Sequence, residues 1–78
     1  MKDLIQHIAR SLVNDPTQVE VTERNRGNTV RLSLQVAKED MGRVIGRQGR
    51  VANAMRMLLR VAAARQDKRA DLDVVDPQ

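Results

Sequence analysis

One stretch of the sequence decides the fold: Met41-Gly42-Arg43-Val44-Ile45-Gly46-Arg47-Gln48-Gly49-Arg50-Val51. It predicts a short apolar helix, a loop with glycine at both ends, and the start of a long basic helix. Glycine allows the backbone to approach a bulky anion and to adopt positive φ at little cost. The N-terminus of the following helix offers unpaired N–H groups and a partial positive charge. With Arg43, Arg47 and Arg50 around the loop, the stretch predicts a site for a phosphate backbone.

The charge of the chain is concentrated in the same region. The 78 residues have a net charge of +4, but residues 42–69 hold eight basic side chains and one acidic side chain. The remainder has six basic and nine acidic residues. A local basic field on a nearly neutral body is typical of a protein that binds a polyanion. The alternative interpretation is a solvated, arginine-rich helix.

The composition excludes several classes of protein. There is no cysteine and no aromatic residue, so the sequence offers no disulfide framework or thiolate metal site, and its core must be aliphatic. No apolar run has the length of a membrane span, and the N-terminus does not have the pattern of a signal peptide. We therefore expect a cytoplasmic protein with one domain over residues 1–78, no cofactor and no membrane association.

The residues before the loop predict a helix and a β-hairpin. Apolar residues recur with helical spacing over 3–14, and Pro16 disfavours helical geometry in the residue before it. Alternating apolar and polar residues predict strands over 19–23 and 30–36, joined by a turn over 24–28.

From residue 38 onward, the sequence predicts two helices and a strand. The short helix opens with 38–40, whose acidic residues suit a helix N-terminus. It is expected to bury three apolar residues, Met41, Val44 and Ile45. Gly46 ends it, and a helix over about 50–65 and a strand over 72–75 follow before Pro77 closes the chain. The predicted fold is α+β, in the order α-β-β-α-α-β, with helices packed on one face of a three-stranded sheet.

The long helix has more apolar residues than one sheet can cover. At about 100° per residue, they span a wide arc. One set is expected to face the sheet: Ala52, Met55, Leu59 and Ala62. The neighbouring strip consists of Val51, Ala54, Leu58 and Val61. Either the first helix covers this strip, or a second copy of the chain does so as a homodimer.

The loop and its surroundings resemble the KH domain, a family whose signature is an I-G-x-x-G loop between two helices. The residues that match are Ile45-Gly46-Arg47-Gln48-Gly49, with a hairpin upstream and a long amphipathic helix downstream. The resemblance covers nearly the whole chain. The element order is similar to that of the type II, bacterial variant, and the chain resembles the small bacterial RNA-binding proteins of the KhpA (YlqC-like) family.

This resemblance implies binding of single-stranded RNA. In KH domains the loop clamps the backbone of about four unpaired nucleotides. Carried over to this chain, Gly46 and Gly49 let the RNA backbone approach, and Arg47 and Gln48 face its phosphates.

The resemblance implies further roles around the loop. Arg43 and Arg50 would flank the strand, and Ile45 would support the loop and line an apolar groove for the bases. The other wall of that groove is expected at Leu34 and Val36, for which burial in the core is the alternative. For Gly42, we expect packing of helix against sheet rather than contact with a ligand.

The resemblance also implies partners. It implies a homodimer and pairing with a larger KH-containing protein of the KhpB (Jag/EloR) type. Such proteins are linked to RNA regulation of an RNA-chaperone-like kind, including small RNAs, and to cell elongation, division and shape.

Three other functions compete with this interpretation. Catalysis is disfavoured because the one histidine, His7, is expected on the surface and neither Ser11 nor Ser33 has an adjacent base. The acidic residues of the last strand region, Asp71, Asp73 and Asp76, lack metal-ligand spacing. A protein-interaction module would use the glycine loop only as a turn. Single-stranded DNA is the third alternative, since RNA is distinguished by its 2′-hydroxyl groups.

Overall fold

The computed structural model describes residues 1–75. It has three helices and three strands: α1 (Lys2–Leu12), β1 (Glu20–Arg26), β2 (Thr29–Gln35), α2 (Met41–Ile45), α3 (Arg50–Ala64) and β3 (Arg69–Val75). Short 3-10 turns precede β1, α2 and α3, at Pro16–Gln18, Lys38–Asp40 and Arg47–Gly49. The predicted α+β order, α-β-β-α-α-β, is confirmed. The residues predicted to close the chain, including Asp76 and Pro77, lie outside the described range.

The sheet is mixed, with its strands in the order β1-β2-β3. β1 and β2 are antiparallel and β2 and β3 are parallel, with Leu32 opposite Leu72 in the second pair. Because side chains alternate between the faces of a strand, the apolar residues share one face. Helices and strands build the core on that face, from Ile5, Ala9, Val19, Val21, Val30, Leu32, Leu34, Val36, Val44, Met55, Leu59 and Leu72. The opposite face of the sheet is open to solvent and largely polar, with Val75 as an exposed apolar residue at its end.

The hairpin is longer and its turn tighter than the sequence predicted. β1 continues to Arg26, which pairs with Thr29, so only Gly27 and Asn28 form the turn. β3 begins at Arg69, where the Arg69 N–H donates to the carbonyl of Asn28 at 2.8 Å. These segments carry charged residues and no apolar alternation, so only their pairing with β2 identifies them as strands.

Three expectations about apolar side chains near the loop needed correction. Leu34 and Val36 are fully buried, 0% and 1% exposed, so they belong to the core and cannot line a surface groove. Ile45 was expected on the buried face of α2 but is 37% exposed, whereas Val44 is completely buried. Successive helical residues are rotated by about 100°, so this short helix buries one of these neighbours and exposes the other.

The two faces of α3 are only partly as predicted. The helix buries Ala52, Met55, Leu59 and Ala63. Ala63 therefore takes the place expected for Ala62, and Val51 is half-buried against the core rather than on an outer strip.

An apolar strip on α3 nevertheless remains uncovered. Met57, Leu58 and Val61 are 65%, 51% and 57% exposed. Together with exposed Ala54, these residues form what we call the outer strip. Helix α1 leaves the outer strip open, so the first of the two alternatives, cover by the first helix, is wrong.

Candidate nucleic-acid interface

The glycine loop, residues 46–49, begins at a residue that only glycine can occupy without strain. Gly46 ends α2, and its N–H donates to the carbonyl of Gly42 at 2.9 Å. Its φ of 77° and ψ of 173° lie in a region that is essentially restricted to glycine. A Cβ at this position would also be 2.8 Å from the backbone nitrogen of Val51. The first turn of α3 therefore packs directly on the backbone of Gly46.

The rest of the loop continues in left-handed geometry. Gln48 has φ 58° and ψ 25°, and Gly49 has φ 77° and ψ 13°. The N–H of Gly49 closes the turn on the carbonyl of Gly46 at 3.1 Å. A non-glycine residue with positive φ costs about 1–2 kcal/mol, and such residues cluster at binding and catalytic sites. The side chains of Arg47 and Gln48 are both exposed in this loop.

A buried carboxylate anchors the region beside the loop. Asp40 is 2% exposed, and its two oxygens accept the backbone N–H groups of Asn14 and Asp15, both at 3.1 Å. Its Oδ1 also lies 3.5 Å from Nε of Arg43, whose side chain is 53% exposed. The sequence predicted Asp40 only as a helix N-terminal charge. In the structure, it joins the end of α1 to the start of α2 and holds Arg43 near the loop.

The segment after α1 is further ordered by Asp15. Its carboxylate accepts the hydroxyl of Thr17 and the side-chain amide of Gln18. These hydrogen bonds, that of Thr17 first, lower the pKa of Asp15. The ordered segment presents the two N–H groups that Asp40 receives.

The basic field predicted over residues 42–69 divides into separate parts. Arg47 lies within the glycine loop and Arg50 follows it; both are exposed and form no salt bridge with any described residue. Arg56 has a structural role, because its Nε donates to the carbonyl of Leu72 on edge strand β3 at 3.0 Å. Its Nη1 donates to Oδ1 of Asn53 at 2.9 Å. Arg43 lies beside the loop in α2, and the other basic residues of the field lie at or after the far end of α3.

Gly42 does not have the packing role that the sequence predicted. It is exposed, and a Cβ there would meet nothing within 4 Å. Position 42 therefore tolerates a side chain, in contrast to position 46.

Two surface depressions lie near the β1–β2 turn, one between the end of α3 and β3 and the other on the open face of the sheet. One of about 310 Å³ is lined by Arg60, Lys68, Arg69 and Ala70. The other, of about 390 Å³, is lined by Arg24, Arg26, Thr29, Arg31 and Asp71. The basic field predicted over residues 42–69 includes only part of this region, because its basic residues come from three separate segments of the chain.

Other kinds of site find no support in the part of the chain that the structure describes. Residues 1–75 contain no group of three or more His, Cys, Asp and Glu side chains that could hold a metal ion. No helix within the same range has the length and apolar character needed to cross a membrane.

Comparison with known proteins places the chain in a family. The sequence model of the KhpA/KhpB KH domain matches residues 2–74. The RNA-binding protein KhpA of Halalkalibacterium halodurans is 45% identical over 76 residues, covering 97% of this chain and 100% of the relative. KhpA of Clostridium acetobutylicum is 44% identical, covering 96% of this chain and 100% of the relative. KhpA of Treponema pallidum is 43% identical, covering 96% and 94%. No solved structure gives a significant match. With a family match over nearly its whole length, the chain belongs to the KhpA/KhpB family of KH domains.

Proposed function

We propose that residues 1–78 form one KH domain that binds single-stranded RNA through the glycine loop. The observation that supports this most is the backbone of Gly46, packed against Val51 in a conformation that excludes other residues. This packing fixes an exposed loop at the N-terminus of α3, where partial positive charge favours a phosphate. The relatives with 40–45% identity are RNA-binding proteins, and the KhpA/KhpB family is not a family of enzymes.

Each residue of the loop has a proposed role. Gly46 and Gly49 allow the RNA backbone to approach, and exposed Arg47 and Gln48 contact its phosphates. A KH loop clamps about four nucleotides in this way. Charge-assisted hydrogen bonds from arginine to phosphate are roughly twice as strong as neutral ones.

The residues beside the loop extend the contact. Arg43, held by Asp40, and Arg50 flank the bound strand. Ile45 offers exposed apolar surface to a base, which replaces the aromatic stacking that this chain cannot provide. Because Leu34 and Val36 are buried, we assign no second wall to the groove. Contacts of this kind predict weak sequence preference and strong dependence on salt.

A matched pair of variants tests the loop. Asn and Asp both tolerate left-handed backbone, and position 49 has room, since the nearest atom to an added Cβ is Nδ2 of Asn53 at 3.9 Å. Gly49→Asp should weaken RNA binding by tenfold or more through repulsion of phosphates, whereas Gly49→Asn should bind more tightly than Gly49→Asp. Gly42→Asp is the control, because it adds the same charge outside the loop.

Binding would be measured by fluorescence anisotropy at two salt concentrations, with circular dichroism to verify folding. Single-stranded RNA, single-stranded DNA and duplex RNA would be compared with the same protein. Tightest binding of duplex, or parental affinity in folded Gly49→Asp, would contradict the clamp. Equal affinity for the two single strands would favour a general single-strand binder over an RNA-specific one.

We also propose that the outer strip forms a homodimer. Its exposed side chains, Met57, Leu58 and Val61, form an apolar face on a helix whose other face is buried. Two loops in one dimer would increase avidity for a single RNA. Half-buried Val51 would contribute only at the margin of such an interface.

The dimer has a direct test. Leu58→Asp should convert the dimer to monomer in sedimentation velocity without unfolding the domain, because Leu58 is 51% exposed. Leu4→Asp, at an apolar position of α1 that is 36% exposed, is the control and should leave the dimer intact. An unchanged sedimentation coefficient in Leu58→Asp would contradict dimerisation through the outer strip.

The wider role is proposed from the family. We infer a cytoplasmic, RNA-chaperone-like regulator that associates with a KhpB (Jag/EloR)-type protein and contributes to control of cell shape. The family model covers KhpA and KhpB together, which supports the partner.

A further inference from the structure

A second basic surface lies at the hairpin end of the molecule. It consists of Arg24, Arg26, Arg31, Arg60, Lys68 and Arg69, and we call it the hairpin-end surface. The pairing of Thr29 with Arg69, and of Arg24 with Arg31, brings its strand residues side by side. The two depressions of about 310 and 390 Å³ are lined largely by these six residues.

The positive charge of this surface is mostly uncompensated. Nη2 of Arg31 lies 3.9 Å from Oδ2 of Asp71, and Nε of Arg31 lies 3.8 Å from Oδ2 of Asp73. The side chains of both ion pairs are exposed. Within residues 1–75, none of the other five members forms a salt bridge. Arg24 lies directly opposite Arg31 on the open face, and like charges in that position destabilise a sheet. Asp71 and Asp73 offset part of this repulsion, and a bound anion would offset more of it.

The arrangement of charge also limits where a ligand can lie. Along the open face, arginines occupy both rows next to the turn, with Asp71 as the one acidic residue in the second row, whereas Asp73 and Glu20 occupy rows farther from the turn. No exposed large apolar side chain lies in the strand and turn segments that form most of this surface, residues 24–31 and 65–71, although Arg60 on α3 adjoins Val61 of the outer strip. The surface therefore suits a repeating anion without apolar groups, which is the chemistry of a phosphate backbone.

We propose that the hairpin-end surface binds the phosphate backbone of the same single-stranded RNA whose other segment is held in the glycine loop. This inference rests on the proposed function of that loop. The two regions lie at opposite ends of α3, whose 15 residues span about 22 Å. A strand that fills only the loop, about four nucleotides, leaves the hairpin-end surface empty, and a longer RNA reaches both.

The test compares the affinities of a double variant for a short and a long RNA. Arg24→Gln with Arg26→Gln removes two exposed charges whose side chains make no salt bridge with a described residue. Anisotropy would be measured with oligouridylates of about 4 and about 20 nucleotides over a range of salt, the shorter being the size of the loop site. For the longer RNA, losing two phosphate contacts should reduce the salt slope by about 1.4 and the affinity on the order of twentyfold at ~0.1 M salt. Affinity for the shorter RNA should be unchanged.

The control removes the same charge elsewhere. Lys2→Gln with Arg10→Gln changes two exposed residues of α1 and should leave both RNAs bound as by the parent. Equal losses in the two double variants would show a net-charge effect and overturn the proposal, as would an equal loss for short and long RNA. If the parent protein binds neither RNA, the proposed function itself fails. If the parent protein binds both RNAs and the Arg24→Gln, Arg26→Gln variant binds the longer RNA as tightly as the parent does, only this inference fails.

Discussion

The two basic ends of the molecule are built in different ways. At the glycine loop, position depends on the backbone: Gly46 and Gly49 have positive φ, and α3 packs on the first of them. At the hairpin-end surface, long exposed side chains project from regular strands and a helix. The first arrangement fixes the shape of the backbone, so few residue types are tolerated there. The second supplies positive charge and places little restriction on backbone conformation. Substitutions should therefore reduce stability at the loop and leave it unchanged at the hairpin.

The largest effect is expected for Gly46→Ala. The substitution places Cβ 2.8 Å from a backbone nitrogen and forces alanine into a conformation restricted to glycine. Strain and overpacking of this kind each cost about 1–3 kcal/mol. Urea denaturation should show a loss of about 2–4 kcal/mol, which is a large part of the stability of a small domain.

Gly42→Ala is the matched control, because it is helical, exposed and free of neighbours. Replacing glycine by alanine inside a helix stabilises by up to about 1 kcal/mol. If Gly46→Ala were as stable as Gly42→Ala, the geometric account of the loop would be wrong.

The second effect concerns the anchor of the loop region. Asp40→Asn should destabilise the domain by about 1–2 kcal/mol, because one of the two N–H groups now bound to the carboxylate would face an amide N–H instead. Asp73→Asn, at an exposed salt bridge, should cost under about 0.5 kcal/mol. Thermal unfolding followed by circular dichroism measures both, and equal midpoints would show that Asp40 does not anchor α1 to α2.

The element order and the loop could be predicted from the sequence because they depend on local patterns. Alternation in β2, helical spacing in α1 and α3, and the spacing of Gly46 and Gly49 are each visible within a few residues. These features were sufficient to predict the α+β fold and its KH resemblance.

Long-range relations were not visible in the same way. The role of Asp40 depends on residues about 25 positions upstream, at the end of α1. Which side chains are buried near the loop depends on which surface another element covers. This holds for buried Leu34 and Val36, for exposed Ile45, and for Gly42, which packs against nothing. The hairpin-end surface is assembled from residues 24–31, 60 and 68–69, so a scan for local charge runs does not detect it.

A smaller effect is expected at the other loop glycine. Gly49→Ala should cost about 1 kcal/mol from left-handed strain alone, because its added Cβ meets only Asn53 at ordinary contact distance. Gly49→Asn should lose less stability than Gly49→Ala, since asparagine tolerates this conformation better than alanine. Urea midpoints of the two variants would be compared with that of Gly46→Ala. A loss at Gly49→Ala as large as that at Gly46→Ala would mean that packing, and not only backbone conformation, restricts both ends of the loop.

The smallest effect on stability is expected at the hairpin-end surface. Arg24→Gln removes one of two like charges that lie opposite each other on the open face, so the change should lie between zero and a gain of about 0.5 kcal/mol. Because the repulsion is electrostatic, any gain should decrease as salt screens it. Denaturation at ~0.02 M and ~0.5 M salt measures this difference. A loss of more than about 1 kcal/mol would mean that Arg24 stabilises the hairpin, and the contrast between a geometric end and an electrostatic end would no longer hold.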